Sequence, residues 1–511
     1  MNWLAEPNLC PGLFYGTPAQ DGLLIRIRRP GGWLNLEQGQ AIATLAQQWN
    51  CTTLQVTNRA NLQLRGIQTP PSRETLQTLQ ALGLAALDPR MDHLRNLMTS
   101  PTAGIDPQEL IDTRPLVQAI DTYIQGHPEL AGLPPKFSIG LDGGGAVGIG
   151  LRPAAAWEHR YNEISLSAVL VESPAELPPG VYFRLAIMAQ RQVYETDWLI
   201  QPSQCLAVIG ALAKHYLEYV NQVAPSHPQP RMKHLLQDWG LPYYLQKVNA
   251  SLPQPLQPLA KGPMPRPTQR GGYLGVHAQR RGSGRVYRGV ALPLGQLTAA
   301  QLLGLVQLAA EFGNGQLRLT PWQSVILPDI ETEQMPLLAT HLASLGLSRD
   351  GVGHGIVACA GKPGCSSSAT QTQIHARQVV DHLQRHLNNL NLDNLVNIHF
   401  TGCSKGCAQP SAAEITLLGT QIEQEGSLVE AYYLCLGGIS ESEGQTYGLP
   451  LSADQLPALL TRLLCCYQEQ RSSPQESLPD FVRRHGIHPL SSQFNPSTAL
   501  PSMASLTPPL G

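Results

Sequence analysis

Four cysteines are spaced for metal chemistry. Cys359 and Cys365 enclose Ala-Gly-Lys-Pro-Gly, and thirty-seven residues later Cys403 and Cys407 enclose Ser-Lys-Gly. Both pairs lie in stretches rich in Gly, Ser and Lys, not in apolar stripes. Four thiolates on two such loops can surround one [4Fe–4S] cubane. Gly361, Gly364, Gly402 and Gly406 would let the backbone turn tightly around it. A C-x5-C pair is wide for a structural zinc site, which favours shorter spacings. A zinc staple and four inert buried thiols remain the alternatives. Five other cysteines, Cys51, Cys205, Cys435, Cys465 and Cys466, sit in apolar helical or strand patterns and read as packing. Cys10, in Leu9-Cys10-Pro11-Gly12, is left unassigned.

The elements that must carry these loops are set by an internal repeat. Residues 34–67 lie on residues 297–330 at a constant shift of 263 without a gap. Leu34 meets Leu297, Gln38 meets Gln301, Leu45-Ala46 meets Leu308-Ala309, Leu54 meets Leu317, and Ile67 meets Ile330. Asn35 and Thr298 are N-cap residues, each followed three positions on by Gln, as in a capping box. Each opens an Ala/Leu/Gln helix, and each helix leads to an alternating strand, Leu54-Gln55-Val56-Thr57 or Leu317-Arg318-Leu319-Thr320. The expected organisation is an α/β half-domain at 10–85, a larger α/β domain at 88–250, and a Pro-rich linker at 251–270. A second half-domain follows at 271–345, a second larger domain with the cysteines at 350–470, and a Ser/Pro-rich tail at 472–511. Such a duplication predicts a pseudo-twofold molecule with a ligand where its halves meet.

Bulk properties narrow the class. The 511 residues are 42% hydrophobic and 14% charged, as in a folded globular chain. A formal net charge of −2 gives no basic excess for nucleic acid. No apolar run reaches the ~18–20 residues of a membrane span, and Met1–Pro7 lacks a signal-peptide pattern, so a cytoplasmic protein is expected. Ten cysteines in a reducing compartment read as metal or redox groups before disulfides. Gly143-Gly144-Gly145 lacks the framework of a nucleotide loop.

The cysteine pattern resembles the cluster motif of sirohaem-dependent nitrite and sulfite reductases. The resemblance runs in order through most of residues 10–470. Thr57-Asn58-Arg59 through Leu64-Arg65 is similar to that family's arginine-bearing strand. Leu94-Arg95-Asn96 with Pro101-Thr102-Ala103-Gly104 is similar to the segment of its second anion-site arginine, and Leu133-Pro134-Pro135-Lys136-Phe137 to that of its active-site lysine. It implies an α+β fold of two ferredoxin-like half-domains and two cluster- or tetrapyrrole-binding α/β domains, with Cys407 linking cluster to haem iron. Arg59, Arg65, Arg95 and Lys136 would bind the tetrapyrrole's carboxylates, arginine by its planar fork. Arg59, Arg95 and Lys136 would also act in catalysis. Arg59 and Arg65, an even number apart, would share a face of a regular strand.

At one position the chain departs from the sulfite reductases: Ser138 stands where they carry a second lysine. Leu9-Cys10-Pro11-Gly12-Leu13, Arg59–Gly66, Asp142-Gly143-Gly144-Gly145, Leu317–Trp322 and Gly402–Cys407 are closer to the precorrin-3B synthases of aerobic cobalamin synthesis. That branch implies a monooxygenase. Precorrin-3A would be hydroxylated with dioxygen and closed to a lactone, the cluster would relay electrons, and a separate non-haem iron would activate oxygen. His399, Asp142 and His354 are the candidates for its histidine/carboxylate ligands. Without a Rossmann fingerprint, electrons would come from a ferredoxin or a separate NAD(P)H reductase. The alternatives are a sirohaem-dependent ferredoxin nitrite or sulfite reductase and, from another class, a non-catalytic zinc-stapled interaction protein.

Overall fold

A computed structural model describes residues 11–485, apart from 52, 153–155, 173–176, 225–228, 257, 260–261, 270, 281–283, 348–353, 387–395, 410, 438–443 and 475. The chain divides into two compact units, Met1–Asp350 with Pro363–Cys365, and Gly351–Lys362 with Ser366–Gly511.

The first unit begins with two half-domains that exchange strands. One sheet runs Thr17–Ala19, Gly22–Ile27, Leu62–Ile67, Thr53–Val56 and ends on Gln296–Leu297 from the second half. The other runs Gly275–Ala278, Arg285–Val290, Val325–Glu331, Gln316–Leu319 and ends on Trp33–Asn35 from the first. Leu297 pairs with Leu54, and Leu317 with Leu34, so each pairing is the image of the other under the shift of 263. The exchanged strands lead straight into the capped helices Leu36–Gln48 and Ala299–Phe312. Both capping boxes form, each cap contributing about 1 kcal/mol. Their glutamines reach further: Gln38 Nε2 donates to the Leu82 carbonyl (2.8 Å) and Gln301 Nε2 to the Leu345 carbonyl (3.0 Å). The helices pack closely because Gly39 has no side chain, and a Cβ there would enter Val306. Ile42, Ala43, Leu302, Leu305 and Val306 fill one core spanning both halves.

Between these halves in sequence lies a five-stranded sheet, Leu97–Thr99, Ile139–Asp142, Ile164–Val171, Gly180–Ala189 and Gln192–Ile200. Its first three strands are parallel and the rest antiparallel. Buried Val117 and Ile120 of helix Arg114–Gly126, and Ile209 and Leu212 of helix Cys205–Val223, join its core. The Pro-rich segment is no free spacer. Leu252 and Leu256 are buried, and the Leu259 amide donates to Asp197 O at 2.7 Å.

The second unit repeats this sheet as Ile356–Ala358, Ile398–Thr401, Ile415–Gln424, Ser427–Gly437 and Gly444–Ser452, with the same order and directions. Ile356 pairs with Ile398 as Leu97 pairs with Ile139, a shift of 259 (97 to 356, 139 to 398). Helices Thr372–His386 and Leu456–Gln470 bury Val379, Leu383, Leu460 and Leu464.

Two local expectations change. Arg59 is not on the strand with Arg65 but in the turn before it, where Thr57 Oγ1 accepts from the amides of Arg59 (3.3 Å) and Asn61 (3.1 Å) and Ala60 takes a φ of 54°. The segment read as a Ser/Pro-rich tail contains helix Leu478–His485. Its Leu478, Phe481 and Val482, spaced i, i+3, i+4, are buried, Phe481 edge-on to Tyr467. Residues 486–511 and Cys10 lie outside the described residues. Among the described residues no helix is long and apolar enough to cross a membrane.

Candidate functional site

Cys359 is the first residue beyond strand Ile356–Ala358, and Cys403 the second beyond its parallel neighbour Ile398–Thr401. Both therefore stand at the carboxyl edge of a sheet, where α/β folds place ligands. The Gly402 amide donates to Cys359 Sγ at 3.3 Å, joining the two loops by the N–H···S contact that tunes cluster thiolates. A side chain at Gly402 would enter Ser368, so only glycine brings this amide so close. Thr372 Oγ1 (2.8 Å) and Gln373 Nε2 (2.8 Å) donate to the Cys359 carbonyl and fix that residue. Lys405 Nζ donates to Ser367 Oγ at 3.0 Å, a second tie between the loops. Cys407 is exposed, and Cys359 and Cys403 are half-buried.

Cys365 groups with the first unit, together with Gly364, whose carbonyl accepts from Arg65 Nη2 at 3.4 Å. Among the described residues no three His, Cys, Asp or Glu side chains converge as they would around a single ion. Thiols are the usual ligands of a cubane, and the Gly402 amide on Cys359 Sγ is a contact of the kind such ligands receive. The other cysteines differ. Cys205 and Cys435 are buried, and burial pushes the Cys205 thiol up to about 12 and raises Cys51, Cys465 and Cys466.

The predicted basic residues have separate surroundings. Arg95 is 2% exposed and clamps Asp121 through Nε (3.0 Å) and Nη2 (3.1 Å), while its buried Nη1 makes no hydrogen bond. Arg29 lies against the same pair, and its pKa is lowered first by burial and then by the charge of Arg95. Two guanidiniums, the buried Arg95 and the half-buried Arg29, therefore face one partly exposed carboxylate. Arg59 is half-buried, with Nη2 3.5 Å from Tyr161 O. Arg65 is held by Asp21 (3.3 Å), and Lys136 is exposed.

Sequence reasoning missed other buried cations. Arg160 donates to the carbonyls of Pro321 (2.8 Å), Trp157 (3.0 Å) and His159 (2.8 Å), and burial pulls it down to about 10. Arg318 donates to the carbonyls of Pro101 and Ala103, with buried Nε and Nη2 left without hydrogen bonds. Burial pulls it, too, down to about 10. A buried cation demands an anion or many dipoles. Arg28 and Arg152 have carboxylates, Asp92 and Asp142. Arg29, Arg95, Arg160 and Arg318 together have far fewer, which suits a polycarboxylate tetrapyrrole. The one available signal was the run Arg26-Ile27-Arg28-Arg29 closing an alternating strand.

The iron ligands suggested for an oxygenase are not supported. Asp142 is held by Arg152 through two bonds of 2.8 Å. His354 is buried, which pulls its pKa down to about 4, and His399 is a buried residue of strand Ile398–Thr401. Ser138 is buried, and its Oγ accepts from the Glu163 amide at 3.2 Å. It serves as a structural acceptor and does not discriminate between enzyme branches.

Comparison with known proteins fits this arrangement. The profile of the nitrite/sulfite reductase ferredoxin-like half domain matches residues 17–82 and 277–345. That of the nitrite and sulphite reductase 4Fe-4S domain matches residues 90–256. The chain is 29% identical over 465 residues to a ferredoxin–nitrite reductase of Synechococcus elongatus, covering 89% of this chain and 88% of that protein. Against the chloroplastic ferredoxin–nitrite reductase of Zea mays it is 28% identical (84% and 75%). Against a ferredoxin sulfite reductase of Mycolicibacterium paratuberculosis it is 27% identical (83% and 74%). The structure of Mycobacterium tuberculosis NirA protein has the same fold, with a TM-score of 0.72 at 22% identity over 90% of this chain and 83% of that one.

These relatives overturn the expected precorrin-3B synthase activity, and with it the monooxygenase, precorrin-3A, dioxygen and cobalamin assignments. The described stretches that suggested it run along strands Leu62–Ile67 and Gln316–Leu319 and the turns beside strands, which follow the shared fold more than the reaction. The family works with a [4Fe–4S] cluster coupled to sirohaem. This chain carries the domains of the nitrite/sulfite reductase superfamily.

Proposed function

We propose that the protein is a sirohaem-dependent, ferredoxin-linked reductase of nitrite or sulfite. The observation that carries this reading is the pairing of Arg29 and Arg95 against the single carboxylate of Asp121, with Arg95 Nη1 buried and unbonded. Such an excess of cationic charge attracts carboxylates, and partial burial weakens the screening. The names of the relatives, ferredoxin-dependent nitrite and sulfite reductases, support the substrate class and the electron donor.

In this reading Cys359, Cys365, Cys403 and Cys407 hold the cluster. Arg29 and Arg95 hold tetrapyrrole carboxylates, Arg65 orders the Gly364 loop, and Arg59 and Lys136 receive the small anion. When bound, the coupled group supplies the electrons one at a time to the anion. Asp121 keeps Arg95 fixed so that its free N–H points without reorganisation. Arg59 is steadied by the Tyr161 carbonyl, and a planar guanidinium suits an oxyanion.

The test is direct. Purified protein should show a Soret band and contain iron and acid-labile sulfide. With reduced ferredoxin it should convert nitrite to ammonium or sulfite to sulfide. Iron and tetrapyrrole in place with neither anion reduced would refute the proposal.

A further inference from the structure

Several buried polar groups of the first unit have no part in the roles above. They gather just before strand Ile164–Val171. Asn162 is 1% exposed, and neither Nδ2 nor Oδ1 makes a hydrogen bond among the described residues. Next to it, Glu163 is 9% exposed, and its carboxyl lies against the buried Tyr216 hydroxyl and the Met232 amide. Native interiors rarely leave polar atoms such as those of Asn162 unmet, and ordered water is their usual partner.

The segment itself is rigid. The Glu163 amide donates to Ser138 Oγ (3.2 Å), its carbonyl accepts from the Met188 amide (3.0 Å), and Arg59 Nη2 reaches the carbonyl of Tyr161, two residues earlier. We propose that Glu163, with Asn162 beside it, is the proton-delivering residue for an anion held at Arg59, acting through ordered water between them. This deepens the reductase reading and rests on it.

The chemistry requires such a supply. Nitrite becomes ammonium and two waters by taking up six electrons, from reduced ferredoxin, and eight protons. Each proton given by the Glu163 carboxyl leaves a carboxylate, which is recharged from solvent. Arg231, exposed at the surface, faces the same carboxyl, so the route to bulk water is short. The groups around Glu163 are Arg231 and Arg59, the Met232 amide, and the Tyr216 and Tyr244 hydroxyls from helices Cys205–Val223 and Leu241–Ala250. Burial outweighs both arginines and lifts the carboxyl to about 7. An acid poised near the working pH is the most effective proton donor.

The experiment uses the holoenzyme with nitrite and reduced ferredoxin across pH 6 to 9. Glu163→Gln should lower kcat by roughly 10²-fold with little change in KM, and should remove the fall in rate above about pH 7. Glu163→Asp should restore part of the rate with a shifted limb. Iron, sulfide and Soret absorbance show that each variant is assembled, and Glu163→Asp carries the test if Glu163→Gln loses the tetrapyrrole. Wild-type kcat with an unchanged alkaline limb in the variants would overturn the proposal, as would equal slowing of both variants with that limb intact. A fully assembled wild-type protein that reduces neither anion overturns the reductase reading, and this inference with it.

Discussion

The two larger α/β domains share strand order and register, yet close their loops by different means. Under the shift of 259, Ser100 corresponds to Cys359, Asp106 to Cys365, Gly144 to Cys403 and Gly148 to Cys407. In the first copy these loops are knotted by hydrogen bonds. Asp106 Oδ2 accepts from Thr102 Oγ1 (3.2 Å) and from the Val147 amide (3.1 Å), while Ser100 Oγ donates to the Val147 carbonyl (2.5 Å). Arg152 clamps Asp142 and donates to Gly145 O, and also to Arg266 O. In the second copy the corresponding segments are joined by the N–H···S contact of Gly402, the Lys405–Ser367 bond and the Ala369 amide on the Gly402 carbonyl (2.8 Å). One copy satisfies its loops with its own side chains. The other carries thiols at the matching positions, which in the proposed reading an inorganic cluster satisfies. The difference teaches that the topology supplies two loops at a sheet edge, and that the side chains there decide whether they need a metal cluster.

The largest effect should come from the second copy. Cys407→Ser should abolish the cluster chromophore and essentially all activity, while Cys205→Ser, a buried packing thiol, should leave both. Iron and sulfide analysis decides, and full iron in the Cys407 variant would break the ligand assignment. The first copy should respond in the opposite sense. Asp142→Ala strands buried Arg152 and should cost about 3–5 kcal/mol in denaturant unfolding, while the folded fraction keeps its iron. A loss of under about 1 kcal/mol would mean the knot carries little.

A third measurement compares both copies in one sample. Stripping the cluster should raise amide exchange in 402–407 and leave 100–106 and 143–148 protected. Equal loss of protection in both would dissolve the contrast.

The smallest effects are titrations of opposite sign. Glu163 has a folded pKa raised to about 7, so its stability contribution is complete below the usual carboxyl range and is lost as pH rises towards 7. His354 has a folded pKa lowered to about 4, so its contribution is complete above the usual imidazole range and is lost as pH falls towards 4. Glu163→Gln should therefore raise the Tm by a few degrees at pH 8 and hardly at pH 4. His354→Gln should raise it at pH 4 to 5 and hardly at pH 8. Calorimetry at those pH values checks both signs.

By itself the sequence determined the duplication of the half-domains, their capped helices, and the cysteine quartet. These are local or periodic properties: a cap needs two side chains three residues apart, and a shift of 263 without a gap is visible in one dimension. The exchange of strands Trp33–Asn35 and Gln296–Leu297 was not legible, because pairing partners lie over 200 residues apart. The repeat of the larger domain was expected from the duplication, but not its register, which survives although one copy carries Ser and Asp in its loops and the other Cys. For the same reason the buried arginines escaped notice. Whether Arg29, Arg160 or Arg318 faces solvent, a carboxylate or only carbonyl dipoles depends on chain segments brought together by folding. Tertiary structure also moved Arg59 from a strand face to a turn, since Thr57 and Ala60 reverse the chain there. And it alone set Glu163 apart, because a carboxyl holds its proton near neutrality only where burial outweighs its neighbouring cations.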